Sequence, residues 1–555
     1  MWFEEVDGFA ELFRGYFPYY LIIALPIFII ISPANPVAAS HEFPVYRMQQ
    51  FDLQGIPHGC RSAPINIEAR SLTTWSTSRH CVIAQLQELT IETFRDVAER
   101  AGALLIVLPS DLSSLTTEQK QHTLELEDLM LGQEVPIPVY FTMWTPELQN
   151  MMEDISSRQK SEEKQESALQ SIMNSVSANG YQIVVNINQA VARTDVTVAN
   201  IQGKLSGYGI EDKLPTVAIV AYYDSFGIAP ELALGADSNG SGVSVLLELA
   251  RVFSQLYSSV RTHGHVNLLF LLSGAGKLNY HGSKKWLEDQ LDSLEGSLLQ
   301  EAAFVLCLDS LAATDDLYLH VSKPPKDGSP GAKFYQELRE VSRELFPEIR
   351  VESVHKKINL ADEMLAWEHE RHSIRRLPAF TLSSHKSHQD LARGTILDLK
   401  VNSQRLSQKA QVIAEALSRY IYNMSSAEIL SESLNVDTSS LESYVSFLTS
   451  QPRAAQILSS KQNPIVNSLQ SMMSRYLKEV KVTNLVPDKR DPEFVLFDVT
   501  KATVNVYSVK PAVFDLFLTI LIVAYLVVIY FAIQHFPKLY EVVSKFVNTS
   551  KSKNY

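Results

Sequence analysis

Four short, nearly unbroken apolar runs organise the middle of the chain, at residues 216–223, 266–272, 304–308 and 379–382. Strands buried on both faces of a parallel sheet need this pattern, and the helical periodicity between the runs supplies the crossovers. After Gly242, the residues Leu246, Leu249, Ala250 and Phe253 recur at i, i+3, i+4 and i+7 and predict an amphipathic helix. A second amphipathic helix is predicted over 403–422. Upstream, 101–108 and 137–143 read as strands, with helical patterns at 91–100 and 124–131. Residues 156–170 carry many charges and no wide apolar face, which predicts a solvated helix or linker. Residues 425–480 read as helical, and 494–509 alternate like strands. The predicted fold class is α/β: a mostly parallel sheet flanked by helices over 181–422, an N-terminal α/β subdomain over 40–160, and a helical and β extension over 423–511.

Two segments break this soluble rhythm. Residues 21–31 are almost wholly apolar and precede the small-residue run Val37-Ala38-Ala39-Ser40, the order of a secretory leader cut after about Ala39. Glu4, Glu5, Asp7 and Glu11 outweigh Arg14 there, so an uncleaved anchor stays open for 1–39. The second segment, 516–533, has 18 residues with Thr519 the one clearly polar side chain. That length approaches the ~20 residues that cross ~30 Å of hydrocarbon, and a transmembrane helix is predicted over 512–535. Lys538, Lys545, Lys551 and Lys553 follow it, opposed only by Glu541. The positive-inside bias puts the 536–555 tail in the cytosol and the main body in the lumen, a single-pass type I arrangement. Lys551 and Lys553 also resemble the dilysine retrieval signal of endoplasmic-reticulum membrane proteins.

Lumenal exposure makes Asn423-Met424-Ser425 and Asn239-Gly240-Ser241 candidate glycan acceptors. Cys60 and Cys81 are expected to form a disulfide, and Cys307 to be a buried, unpaired strand thiol. The 555 residues carry a net charge of −13, which lacks the positive field that nucleic-acid binding requires. Three cysteines exclude a disulfide-dense scaffold.

Ligands of an open α/β sheet bind at the carboxyl ends of its strands. The predicted ends read Ala221-Tyr222-Tyr223-Asp224-Ser225, then Gly235-Ala236-Asp237-Ser238-Asn239-Gly240-Ser241-Gly242 before the helix. Ser273-Gly274-Ala275-Gly276-Lys277, Leu308-Asp309-Ser310 and Ser383-Ser384-His385-Lys386-Ser387-His388-Gln389-Asp390 follow. In spacing and order, 181–422 resembles the co-catalytic zinc aminopeptidases of the M28 family. The resemblance implies that Asp237 stands at the bridging-carboxylate position, Asp309 at the later Asp ligand, Asp224 beside the first His, and His385 or His388 at the final His. Tyr222 stands where the first His ligand belongs, and Gly276 and Lys277 fall on the Glu-Glu pair that supplies base and ligand.

Catalytic zinc needs about three protein ligands and a base near its bound water. Glycine supplies no base, and an ammonium repels a dication. The expectation is therefore no zinc, no cofactor and no peptidase activity, with Lys277 pairing Asp237 or Asp309 in place of metal. The two aspartates could equally cap helices or bond loop amides. His385 and His388 are expected as loop histidines, and Trp367-Glu368-His369-Glu370-Arg371-His372 as a solvated helical face.

A leader, the opening His41-Glu42-Phe43-Pro44-Val45-Tyr46-Arg47-Met48, the degenerate domain, one span and a basic tail together resemble the nicastrin-related branch of this fold. The resemblance implies a non-catalytic scaffold of the endoplasmic-reticulum membrane that assists multi-pass membrane-protein insertion at the translocon and its ribosome. Its implied partners are Nodal modulator and a small multi-spanning membrane protein, with a link to Nodal signalling. A residual zinc aminopeptidase and a nicastrin-like gating subunit of an intramembrane protease remain alternatives.

Overall fold

The computed structural model describes residues 39–76, 79–162, 180–292, 297, 299–424, 429–430, 434–488, 490–509 and 512–551. The leader segment 1–38, most of the predicted linker beyond the helix Pro146–Glu162, and Lys553 lie outside the described residues.

The predicted apolar runs form the centre of an eight-stranded sheet. Its strands are β1 (Val198–Leu205), β2 (Thr216–Tyr222), β3 (Asn267–Ser273), β4 (Ala302–Asp309), β5 (Leu317–Val321), β6 (Val351–His355), β7 (Ala379–Ser383) and β8 (Lys478–Leu485), in the order β6-β5-β7-β4-β2-β3-β1-β8. Strands β3, β2, β4 and β7 run parallel, and every residue of β2 and β3 is buried. Burial on both faces explains why these runs lack a polar alternation.

Helices α1 (Gly240–Ser258), α2 (His281–Leu291), α3 (Pro330–Leu345), α4 (His369–Ile374) and α5 (Ser403–Tyr422) flank the sheet. Helix α1 holds the predicted apolar stripe yet is buried nearly all round. Its second face is covered by α5 and by α6 (Thr438–Thr449) and α7 (Pro464–Tyr476), which come from the extension.

A second sheet, of seven strands, closes on itself. Its order is His41–Arg47, Lys501–Val509, Gly180–Val185, Ile65–Ser71, Cys81–Gln85, Ala103–Leu108 and Val139–Met143, and Tyr46 pairs with Phe141 to complete the ring. The predicted boundaries at 181 and 423 are thus crossed by strand pairing. The strand at 501–509 lies between 41–47 and 180–185, while β8 is an edge strand of the central sheet.

All three cysteines are buried free thiols, which corrects the expected Cys60–Cys81 disulfide. Cys60 packs with Met48 and Val82, and its Sγ donates to the Ser62 carbonyl at 3.0 Å. Cys81 packs in a different cluster, with Phe43 and Val45, so the two thiols serve separate cores. Burial pushes the Cys81 thiol up to about 12. Cys307 is buried in β4 as expected.

The last helix, α8 (Ala512–Lys551), has 40 residues, roughly 60 Å at 1.5 Å per residue. Among the described residues no helix is long and apolar enough to cross a membrane. Along α8 the described side chains Leu516, Ile520, Val523, Val528 and Phe531 are exposed.

Candidate functional site

The strand-end loops are stitched together by two side chains. Asn239, fully buried at the N-cap of α1, donates through Nδ2 to the carbonyls of Tyr222 (3.1 Å) and Leu308 (2.7 Å). Its Oδ1 accepts from the N–H groups of Gly242 and Ser310, each at 3.2 Å. A side chain so enclosed has no room for a sugar, which removes Asn239 as a glycan acceptor. Asn423 is exposed at the C-cap of α5. Asp224 in turn accepts from the backbone N–H groups of Gly276 (2.6 Å) and Lys277 (3.0 Å), fixing the end of β2 to the loop after β3.

At the centre, Asp309 accepts from the Tyr222 hydroxyl (2.8 Å) and the Ser310 hydroxyl (3.0 Å), and forms an ion pair with the Arg393 guanidinium. Burial alone would raise this carboxyl, but the charges of Arg393 and Lys277 hold it at about 2. Arg393 also donates to the Tyr280 hydroxyl (3.3 Å) and lies 4.2 Å over the Trp367 ring, which stacks at 4.0 Å on His320.

Lys277 does not make the ion pair expected of it. Its Nζ donates to Ser238 Oγ at 2.7 Å and to the Arg393 carbonyl, and it sits 5.2 Å from the centre of the Tyr222 ring. Burial, then the nearby Arg393 charge, push this ammonium down to about 8. The cation paired with Asp309 is therefore Arg393, which no local sequence pattern marks.

The other residues singled out from the sequence lie alongside. Asp237 accepts from the Ala312 N–H at 2.7 Å and has His385 Nε2 at 3.9 Å; His385 Nδ1 meets Asp390 at 2.8 Å. His385 lies in the loop after β7 as expected but is buried, 4% exposed, while His388 lines a neighbouring cleft. Asp398 accepts from the N–H groups of Asp237 (2.9 Å) and Ser238 (2.8 Å), and burial with the nearby Asp237 raises it to about 6. Lys409 and Arg453, both fully buried, donate to backbone carbonyls around the same loops: Lys409 to Thr314 (2.6 Å) and Asp316 (2.7 Å), Arg453 to Gly235 (2.6 Å) and Leu234 (3.0 Å).

The segment at 367–372 is not a solvated face. Glu368, His369, Glu370 and His372 are each at most 1% exposed. Glu368 accepts from Ser273 (2.7 Å) and Ser283, and burial raises it to about 7. Burial holds His372 near 4.

These residues do not fit a di-zinc centre. Asp309 is committed to a guanidinium, and burial raises the Tyr222 hydroxyl well above its ordinary range, so it stays a neutral donor. A Cβ at Gly276 would fall 2.3 Å from Tyr222 Cβ and Cγ, so the tyrosine ring fills the space a general base would need. Among the described residues, no group of three or more His, Cys, Asp or Glu side chains could hold a metal ion.

This topology, with its strand-end loops, defines an M28-peptidase-like α/β protein. Residues 198–359 match Peptidase family M28. The γ-secretase component nicastrin superposes with a TM-score of 0.58 at 11% identity, over 85% of this chain and 100% of its own, and shares the fold. BOS complex subunit NCLN of Homo sapiens is 45% identical over 97% of both chains. Nicalin of Caenorhabditis elegans is 29% identical over 89% of this chain and 90% of its own. The chain belongs to the BOS complex subunit NCLN, or nicalin, family.

Proposed function

We propose that this chain is a non-catalytic scaffold subunit of an endoplasmic-reticulum membrane complex that assists insertion of multi-pass membrane proteins at the translocon. Family membership supports the place in a membrane complex. The observation that carries the non-catalytic reading is the Arg393–Asp309 ion pair, which puts a permanent cation on a carboxylate that a metal would need. Tyr222, Asp237, Gly276, Lys277, Asp309 and His385 are on this reading the remnants of a metal centre now held by organic cations.

The 516–533 run within α8 supports a single transmembrane helix, since exposed apolar side chains around the helix suit lipid better than water. The lumenal body then carries a glycan at Asn423, and Lys551 and Lys553 retrieve the protein to the endoplasmic reticulum. Nodal modulator and a small multi-spanning membrane protein are the proposed partners. Extraction in mild detergent followed by mass spectrometry is expected to recover both with this chain. Recovery of an intramembrane protease instead would favour the gating-subunit alternative.

A further inference from the structure

Beside the Arg393–Asp309 pair, a cleft of about 380 Å³ opens between the central strand ends and a wall formed by the strands Gln50–Leu53 and Ile56–Cys60 and the helix Thr117–Leu131. Phe51, Phe226 and Leu365 give it apolar walls, and Lys277, Arg393 and His388 line it as well. Arg393 already faces Asp309. Lys277 has three N–H groups, of which two go to Ser238 Oγ and the Arg393 carbonyl, and among the described residues no carboxylate pairs with it. The His388 ring makes no hydrogen bond or ion pair among the described residues, its carbonyl alone being used, by Arg393. The acids along the cleft are placed differently. Asp128 and Glu363 are exposed at its rim, Asp390 is held by His385, and Glu127 accepts from the Ile396 N–H at 3.1 Å.

Lys277 is half-buried, and Asp309, Asp224 and Asp398 favour its charge from a distance without an ion-pair contact, so its third N–H is left to a ligand that brings a carboxylate into direct hydrogen-bond range. The volume lies at the small end of the roughly 300–1,000 Å³ range of ligand sites, enough for about two or three residues. The stack of Arg393 on the buried Trp367 fixes the guanidinium at the edge of the cleft.

We propose that this cleft binds the C-terminal carboxylate of a peptide with an apolar last residue. The carboxylate meets the free N–H of Lys277, with the neutral His388 ring beside it, and the last side chain lies between Phe51, Phe226 and Leu365.

The proposal builds on the non-catalytic reading of the site, and one experiment separates the two. Full-length chain in detergent is titrated with N-terminally fluorescein-labelled Ala-Phe-Leu as the free acid and as the amide, with polarisation and peptide integrity both followed. The acid is expected to bind and the amide to bind about tenfold more weakly or worse, the loss of one charge-assisted contact. Lys277→Met is expected to bring the acid down to the amide. Equal binding of acid and amide by the unaltered chain, or binding of neither, overturns the proposal without needing any variant to fold. Hydrolysis of the peptide would instead end the non-catalytic reading.

Discussion

Asp309 is 1% exposed and depends on a guanidinium delivered from 84 residues further along the chain. Removing one partner of a buried pair leaves an uncompensated charge, so Arg393→Met is expected to cost about 3–5 kcal/mol in a urea titration. The double variant Arg393→Met with Asp309→Asn is expected to recover much of this, since the stranded charge is gone. A double variant as damaged as the single would show that the charge pair is not what stabilises the centre. Glu368 gives a separate test. Burial raises it to about 7, against 4.5 in the unfolded chain, so its contribution is full below about 4.5 and is lost as pH rises toward 7. Glu368→Gln cannot ionise and is expected to gain on the parent by roughly 1.4 kcal/mol per pH unit across that window, then run parallel above it. Thermal melts at several pH values check this, and a difference independent of pH would contradict it.

Among the elements, the four buried parallel strands were readable to within a residue or two, because burial on both faces writes a continuous apolar run. The glycine-rich loop before α1 was readable for a similar reason, its Asn cap and close packing leaving few residue choices. What stayed hidden was the source of compensation. Arg393, Lys409 and Arg453 reach the centre from loops and helices remote in sequence, and no local pattern marks a cation as buried. The only available signal was the charge of Asp309 itself, which requires a partner once metal is excluded. The 367–372 segment was misread because alternating Trp, Glu and His suggest solvent, while Ser273, Ser283 and Thr381 satisfy several of their polar atoms inside the fold. The two sequons separate on the same physical ground. Asn423→Gln is expected to abolish the endoglycosidase-sensitive shift on gels, whereas Asn239→Gln leaves the glycan and loosens the fold through the four bonds it breaks. A glycan lost in Asn239→Gln alone would contradict the buried placement.

At the scale of the whole molecule, the chain closes on itself from both ends. The strand at 501–509 sits between 41–47 and 180–185, and Glu493 bonds His281 and Lys284 of α2 at 3.2 and 2.6 Å. A fragment ending at 509 is therefore expected to be monodisperse, and one ending at 424 to aggregate, as size-exclusion chromatography would reveal. The same closure lets the extension supply Arg453 to the loop that carries Asp237, so the centre depends on residues from both sides of the 423 boundary. The replacement of metal by organic cations at this centre has a measurable consequence. Its most direct test is the zinc content of full-length chain, purified in detergent, equilibrated with excess zinc and desalted, read by inductively coupled plasma mass spectrometry. No stoichiometric zinc is expected; zinc retained at one or two ions per chain, and lost in Asp309→Asn, would show that the metal has not been replaced.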